Sequence, residues 1–204
     1  MPKIPSLPSL KEHIAEWAEC RRCGLCESRK TVVLGKGLVP CDVLFIGEAP
    51  GASEDAIGKP FVGPAGKKLD AIIKRAMPVK VTERRDGSTE YQLPALRLTF
   101  TNLVACIPKE AGEKGQPLPE EIRACKPRLE EFIRLCSPRL IVAVGTLARD
   151  CLDPKVHQHV RVPEGVPVID VIHPAAILRA NVAQQGLMTQ RAAVTLANAF
   201  EELR

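Results

Sequence analysis

Residues 47–66 constrain the fold more than any other stretch, reading Gly-Glu-Ala-Pro-Gly-Ala-Ser-Glu-Asp-Ala-Ile-Gly-Lys-Pro-Phe-Val-Gly-Pro-Ala-Gly. An apolar run at 42–46 precedes them, and a helical pattern over 64–76 follows. Glycine permits positive φ or close approach of backbone to a ligand, and proline stiffens turns. Open α/β sheets bind ligands at such loops, at the carboxyl ends of their strands. The segment therefore predicts a binding loop, and a Gly/Pro-rich connector without a ligand is the alternative.

Four apolar runs alternate with helical patterns along the chain. The predicted strands are 42–46, 98–104, 140–144 and 168–172, and the segment 32–38 predicts a short edge element. Helical spacing of apolar residues occurs at 9–19, 64–76, from Pro119 onward, from Gly145 to Leu152, and over 187–203. Buried strands that alternate with helices predict an α/β fold with a largely parallel sheet.

Two features interrupt this alternation. Residues 79–98 are a polar insertion, and the Asp86-Gly87 pair within it predicts a hairpin turn. Pro127 follows the helix start at Pro119, so we expect it to kink or split that helix. We expect one domain over 1–204, whose first 30 residues provide an N-terminal helix and a cysteine-bearing segment.

Charge and cysteine content limit the class of protein. The 29 Lys and Arg against 24 Asp and Glu give a net charge of +5, which permits a polyanionic partner without requiring one. The sequence contains neither a signal-peptide pattern nor an apolar stretch of membrane-spanning length, so we expect a cytoplasmic protein without membrane association. In a reducing compartment, eight cysteines favour metal ligands over disulfides.

Four of the cysteines can form a single thiolate site. Cys20 and Cys23 form a CxxC pair, Cys106 follows a predicted strand, and Cys125 lies in the next helix. Four thiolates suit either zinc or an iron–sulfur cluster, and spacing does not choose between them. Cys26 provides an alternative CxxC register with Cys23. The remaining residues, Cys41, Cys136 and Cys151, fit buried, unpaired thiols.

Chemically distinctive residues stand at the ends of three predicted strands. Glu48, Asn102 and His173 each follow an apolar run. Parallel strands present their carboxyl ends on one edge of a sheet, so these side chains are expected to share a cleft with the Gly/Pro-rich loop.

Several motifs resemble the family 4 uracil-DNA glycosylases. Gly47-Glu-Ala-Pro-Gly51 and Gly58-Lys-Pro-Phe-Val-Gly63 resemble the first family motif. Thr101-Asn-Leu-Val-Ala-Cys106 resembles its second strand with the third cluster cysteine, and His173-Pro-Ala175 with Ile177-Leu-Arg179 resembles its last motif. The resemblance implies a three-layer αβα sandwich around a mostly parallel four-stranded sheet. It further implies a monomeric repair enzyme that removes uracil from single- or double-stranded DNA and leaves an abasic site.

The resemblance also assigns roles to individual residues. Gly47, Ala49 and the adjoining backbone hold the base, Phe61 stacks on it, and Asn102 reads its edge. His173 stabilises charge on the departing base. Glu48 is the first candidate to position water, with Glu54 and Asp55 behind it, because alanine stands at position 49 where the best-known uracil glycosylases carry an aspartate.

The remaining implied roles concern DNA and metal. Ile177, Leu178 and Arg179 form a wedge that fills the vacated base stack. The [4Fe–4S] ligands are Cys20, Cys23, Cys106 and Cys125, and zinc is the fallback. Basic residues near the cysteines could follow the DNA backbone or form a solvated face: Arg21, Arg22, Lys109, Lys126 and Arg128.

Two alternatives stay open. The same fold could act on another deaminated or modified base, or the chain could be a metal-stabilised nucleic-acid-binding module without catalysis. The Arg/His-rich loop of covalent uracil-trapping relatives has no counterpart after the first motif, so no covalent adduct is expected.

Overall fold

A five-stranded sheet forms the centre of the computed structural model, which describes residues 8–77, 80–83, 89–92, 96–108, 115–153, 155 and 160–203. The strands are β1 (Lys36–Gly37), β2 (Val43–Gly47), β3 (Lys80–Glu83), β4 (Thr89–Gln92), β5 (Leu98–Asn102), β6 (Leu140–Val144) and β7 (Val168–Val171). The helices are α1 (Leu10–Trp17), α2 (Ala52–Ile57), α3 (Pro64–Ala76), α4 (Pro119–Cys136), α5 (Thr146–Leu152), α6 (Pro174–Arg179) and α7 (Val182–Glu201).

The sheet order is β1-β5-β2-β6-β7, and its last four strands are parallel. Only β1 runs antiparallel, pairing with β5. The expected sheet of four strands is therefore extended by one, because the edge segment 32–38 contributes the two-residue β1. A separate antiparallel pair, β3 with β4, lies within the insertion 79–98. The Asp86-Gly87 turn expected there falls outside the described residues.

Helices cover both faces of the sheet, as expected for an αβα sandwich. Val43 and Phe45 of β2 pack in the apolar cluster that includes buried residues of α3 and α7. Leu44 and Ile46, which point the other way, pack in the cluster that includes α4 and α5. Successive side chains of a strand face opposite sides, so a strand that is apolar throughout requires both layers.

Helices α2 and α7 differ from the sequence expectation. Helix α2 forms inside the Gly/Pro-rich segment, where Gly51 N donates to the Glu54 carboxylate and Gly58 ends the helix at φ +78°. Helix α7 begins at Val182, before the expected 187, because Asn181 caps it by accepting from Gln184 N. None of the described helices has the length and apolar character needed to cross a membrane.

Pro127 was expected to kink or split α4, and the expected split is wrong. The helix runs unbroken from Pro119 to Cys136. A proline in a helix interior costs about 3 kcal/mol. The buried residues Leu129, Phe132 and Ile133 beyond the proline lose more if the helix ends early, since each buried side chain contributes about 1.5–3 kcal/mol.

Candidate active site

The predicted site residues lie along the carboxyl edge of the four parallel strands. Asn102 ends β5 and is the register partner of Gly47, which ends β2. Glu48 follows Gly47, and Gly145 follows the neighbouring β6. His173 stands two residues beyond β7, and a Cβ placed on Gly145 lies 3.0 Å from the His173 Cβ. The edge therefore carries an amide after β5, a carboxylate after β2 and an imidazole after β7, with Gly145 of β6 between the last two.

Gly47 allows Asn102 and Phe61 to meet at the edge. A Cβ built on Gly47 lies 2.5 Å from Asn102 Oδ1 and 2.6 Å from Phe61 Cζ, so a larger residue there would displace these two side chains. Asn102 is buried, with 3% of its surface exposed. The amide and the aromatic ring therefore flank one point of backbone, which is the close approach expected of a ligand-binding glycine.

The aromatic ring of Phe61 is held through its backbone. Phe61 has φ +53°, a conformation that non-glycine residues seldom adopt and that is commoner at functional sites. Its carbonyl accepts a hydrogen bond of 2.9 Å from Lys36 Nζ. A Cβ on Gly66, in the first turn of α3, lies only 2.2 Å from the Phe61 carbonyl carbon. The strained backbone is thus fixed by a β1 lysine and by α3.

His173 presents a neutral donor to the edge. It is the N-cap of α6, and its Nδ1 accepts a hydrogen bond of 3.2 Å from Ala175 N. An accepting Nδ1 carries no proton, so the neutral ring carries its proton on Nε2. Burial, and then the positive charge of Arg179, lower the pKa of His173. Near neutral pH the ring is therefore an uncharged Nε2–H donor.

Glu48 is the half-buried carboxyl group that follows β2 at this edge. Burial raises the pKa of Glu48, and a hydrogen bond with Gln116 partly opposes that shift. A carboxylate in this position can accept a hydrogen bond from a water molecule at the strand edge.

Glu54 and Asp55 serve the loop and not the edge. Glu54 accepts backbone hydrogen bonds from Gly51, Val62 and Gly63, at 3.1, 2.9 and 2.8 Å. Asp55 is 2% exposed and accepts from the backbone of residues 30–31, at 2.9 and 3.3 Å. Their oxygens close the Gly/Pro-rich segment onto itself and onto the N-terminal region. These bonds argue against the water-positioning role considered for them from the sequence.

The four predicted metal ligands line one cavity. The lining of this cavity includes Cys20, Cys23, Cys106 and Cys125. All four are free thiols. Cys26 lines a different surface depression, so the CxxC register that faces the cavity is 20–23.

The donor set of the cavity suits a thiolate-bound group. Burial raises the pKa of Cys106 to about 12, with Arg29 opposing the shift and the other cavity cysteines adding to it. Metal binding must displace such protons. Among the described residues, no three His, Cys, Asp or Glu side chains are gathered closely enough to hold a single metal ion. The four cysteines nevertheless share the lining of one cavity.

The wedge residues divide between core and surface. Ile177 is fully buried in the cluster under α3 and α7, so it is unavailable as a wedge. Leu178 is 43% exposed, and Arg179 is exposed beside it. Neighbouring residues of a helix point in different directions, which explains the division.

Two residues beside the site escaped the sequence reasoning. Gly145 adopts φ +98°, and it stands at a strand end, as Glu48 and Asn102 do, so the same rule could have found it. Arg128, considered as a DNA contact, is fully buried instead. Its spacing from Cys125 and Phe132 along α4 was the available signal, because residues three and four apart share a helix face. Lys109 lies outside the described residues.

Comparison with known proteins identifies related sequences. The model of the Uracil DNA glycosylase superfamily matches residues 35–199. A Type-4 uracil-DNA glycosylase of Archaeoglobus fulgidus is 30% identical over 84% of each chain. Those of Sulfurisphaera tokodaii and Saccharolobus solfataricus are each 35% identical, over 70% and 64% of this chain. In these two, the match spans only 56% and 52% of the relative's length, about half of each protein.

Proposed function

The chain belongs to the uracil-DNA glycosylase superfamily and matches type-4 members, and we propose that it excises uracil from DNA. The reaction is hydrolysis of the N-glycosidic bond, which leaves an abasic site, on one domain spanning 1–204. The observation that carries the proposal is the row of Asn102, Glu48 and His173 along one sheet edge, beside glycines that leave no room for side chains.

Recognition of the base falls to Phe61 and Asn102. A base inside a duplex must first be flipped out of the stack to reach an enzyme pocket. Phe61 then stacks on the ring, while Gly47, Ala49 and the intervening backbone border it. The Asn102 amide offers one acceptor and two donors, which match the alternating edge of the uracil imide. The burial of Asn102 at the end of β5, next to Gly47, supports this role.

His173 assists departure of the base. Negative charge develops on uracil O2 as the glycosidic bond breaks, and a fixed donor stabilises that charge. The Ala175 N–H bond to Nδ1 supports the role, because it directs the only proton of the neutral ring to Nε2.

Glu48 positions the attacking water. The Glu54 and Asp55 carboxylates are engaged by backbone N–H groups, which leaves Glu48 as the remaining carboxylate of the three. The leaving base departs as an anion, so the demand on a general base is modest. Ala49 is therefore compatible with activity.

Leu178 is the proposed wedge, and Arg179 the adjacent phosphate contact. Side chains that enter the vacated stack are typically apolar and exposed, as Leu178 is. A Leu178→Ala variant should excise uracil from single strands at the wild-type rate but act slowly on duplexes. The control is Val182→Ala, which truncates a more exposed residue at the start of α7. Equal excision rates of Leu178→Ala on single strands and on duplexes would mean that Leu178 is not a wedge.

The proposed cofactor is a [4Fe–4S] cluster bound by Cys20, Cys23, Cys106 and Cys125. When bound, the cluster supplies a covalent link between the N-terminal segment, the end of β5 and α4. Shared lining of one cavity by four free thiols supports this ligand set. Iron analysis and visible absorption of the purified protein distinguish a cluster from zinc, the fallback.

The proposed partner is uracil-containing DNA, single- or double-stranded, bound by a monomer in the cytoplasm. The positive net charge of +5 supports a polyanionic partner. Free thiols at all eight cysteines support a reducing compartment.

The decisive experiment measures base release from labelled single strands and from U:G and U:A duplexes. We expect free uracil and an abasic product from the wild-type protein. Matched oligonucleotides with hypoxanthine, xanthine or 5-substituted uracil define the base range. Release of one of these bases, without release of uracil, would mean that the enzyme acts on another substrate. Binding of uracil-containing DNA without any abasic product would support a non-catalytic module.

A further inference from the structure

Arg128 is a fully buried cation that contacts the backbone at the end of β5. Its Nη1 donates to Thr101 Oγ1 at 2.9 Å. Its Nη2 donates to the carbonyl oxygens of Asn102, at 2.6 Å, and Leu103, at 3.0 Å. One guanidinium therefore fixes three consecutive residues, and the central one is the proposed uracil-reading asparagine.

Within the part of the chain that the structure describes, no carboxylate forms an ion pair with Arg128. Its Nε is buried without a hydrogen-bond partner in the described part of the chain. A buried charge without compensation is strongly disfavoured, so a negative group is required nearby.

The cysteine cavity provides the place for that group. Arg128 belongs to the lining that contains Cys20, Cys23, Cys106 and Cys125. Four thiolates around a [4Fe–4S] core carry a net negative charge. Arg128, which has no carboxylate partner among the described residues, thus borders the cavity where negative charge is expected.

We propose that Arg128 is a positioning residue that joins the two sites: its guanidinium fixes the Asn102 backbone, and the thiolate-bound cluster balances its charge. This inference rests on the proposed function. Arg128 touches neither the base nor the reacting bond in this scheme. It acts through Asn102, whose amide must be held within a fraction of an ångström to read the base edge.

Two substitutions separate the hydrogen bonds from the charge. Arg128→Lys keeps a cation but loses the rigid fork that reaches several acceptors at once. We expect it to keep the reduction potential of the cluster and to lower the single-turnover excision rate, by up to about 100-fold if Asn102 moves by ~1 Å. Affinity for uracil-free DNA should not change, because the residue is buried.

Arg128→Met removes the charge as well. Reduction adds negative charge to the cluster, so loss of a neighbouring cation should shift the reduction potential to a more negative value. The matched control is Arg134→Met, which removes an exposed arginine from the same helix. It should leave both the potential and the excision rate at wild-type values.

A further variant covers the case in which Arg128→Met does not fold. Thr101→Val is nearly isosteric and removes only the hydroxyl that accepts from Arg128 and donates to the Leu34 carbonyl at 2.7 Å. We expect a smaller loss of excision rate, with iron content and potential unchanged.

The measurements distinguish this inference from the proposed function. A wild-type protein that releases no uracil would reject the proposed function, whereas the potential shift is measured without DNA and tests Arg128 alone. Wild-type excision by both Arg128 variants would overturn the positioning role. An unchanged potential in Arg128→Met, or a purified protein without iron, would overturn the charge balance. If Arg128→Met does not fold, wild-type excision by Thr101→Val would overturn the positioning role.

Discussion

At the carboxyl edge of the sheet, glycines bring backbone and side chains into contact, whereas around the cysteine cavity thiols and a guanidinium face a shared space. Gly47 and Gly145 leave 3.0 Å or less between a hypothetical Cβ and the neighbouring site residues. The cavity lies between chain segments that are distant in sequence. In the first region, close approach to glycine backbone brings the side chains together, whereas in the second we propose that a bound group completes the site. Substitutions at the sheet edge should therefore lower the excision rate. Substitutions at the cavity should lower the iron content and the stability of the protein.

The largest expected effect separates a cysteine that lines the cavity from one that does not. Cys106→Ser should lose iron and lower the free energy of unfolding by more than about 4 kcal/mol, as loss of a structural metal does. Cys26→Ser is the matched control, since Cys26 faces a different depression and should keep its iron. Iron per chain and denaturant unfolding measure both. Loss of iron in Cys26→Ser, with iron retained in Cys106→Ser, would mean that Cys26 is a ligand and Cys106 is not.

The next effect tests whether the residues at the sheet edge are needed for excision but not for iron binding. Asn102→Ala and His173→Ala should each slow excision by roughly 10²–10³-fold, the loss typical of one oxyanion donor. Iron content should stay at the wild-type level, since neither residue lines the cavity. Asn198→Ala, at an exposed position of α7, controls for loss of an amide. Near-wild-type single-turnover rates in both edge variants would mean that Asn102 and His173 do not take part in the reaction.

A pair of glycines tests the role of close backbone approach. Gly145 has φ +98° and Gly165 has φ +78°, so alanine is strained at both and should cost about 1–3 kcal/mol of stability. Only at Gly145 does the added Cβ meet His173, at 3.0 Å, whereas nothing lies within 4 Å at Gly165. Both variants should lose stability in urea unfolding, but only Gly145→Ala should lose excision rate. Equal excision rates of Gly145→Ala and Gly165→Ala would mean that the reaction tolerates a displaced His173 side chain.

The fold was predictable from the sequence where periodicity was strong. The continuous apolar run Leu140–Val144 must be buried on both faces, and such runs alternating with helices imply a parallel sheet between helical layers. The two-residue β1 has no periodicity, so its pairing was not predictable. Local rules also failed at Pro127, because the packing of α4 beyond it outweighs one lost hydrogen bond.

The candidate site was predictable to the extent that topology places it. The ends of parallel strands meet at one edge, which brings Asn102 and His173 into one row before any coordinates are known. Roles that depend on tertiary contacts were not predictable. Glu54 has the residue type of a water-positioning group, and only its bonds to three backbone N–H groups reveal a structural role.

The smallest expected effect concerns the pH dependence of the edge. Burial raises the pKa of Glu48, so its carboxyl stays protonated to a higher pH than an exposed glutamate. Water positioning needs the ionised form. The single-turnover rate should therefore fall as pH decreases through this raised pKa, and Glu48→Gln should abolish that acidic limb. The loss of rate in Glu48→Gln should be smaller than the ~10²–10⁴-fold contribution of a full general base, since the departing uracil is already an anion.

His173 could produce an acidic limb as well, and Arg179 separates the two groups. Arg179 lowers the pKa of His173, so Arg179→Met should raise that pKa and move a histidine limb to higher pH. A limb that belongs to Glu48 should keep its position in Arg179→Met and disappear in Glu48→Gln. A limb that moves in Arg179→Met and persists in Glu48→Gln would assign the titration to His173, leaving the water at this edge to be positioned by backbone alone.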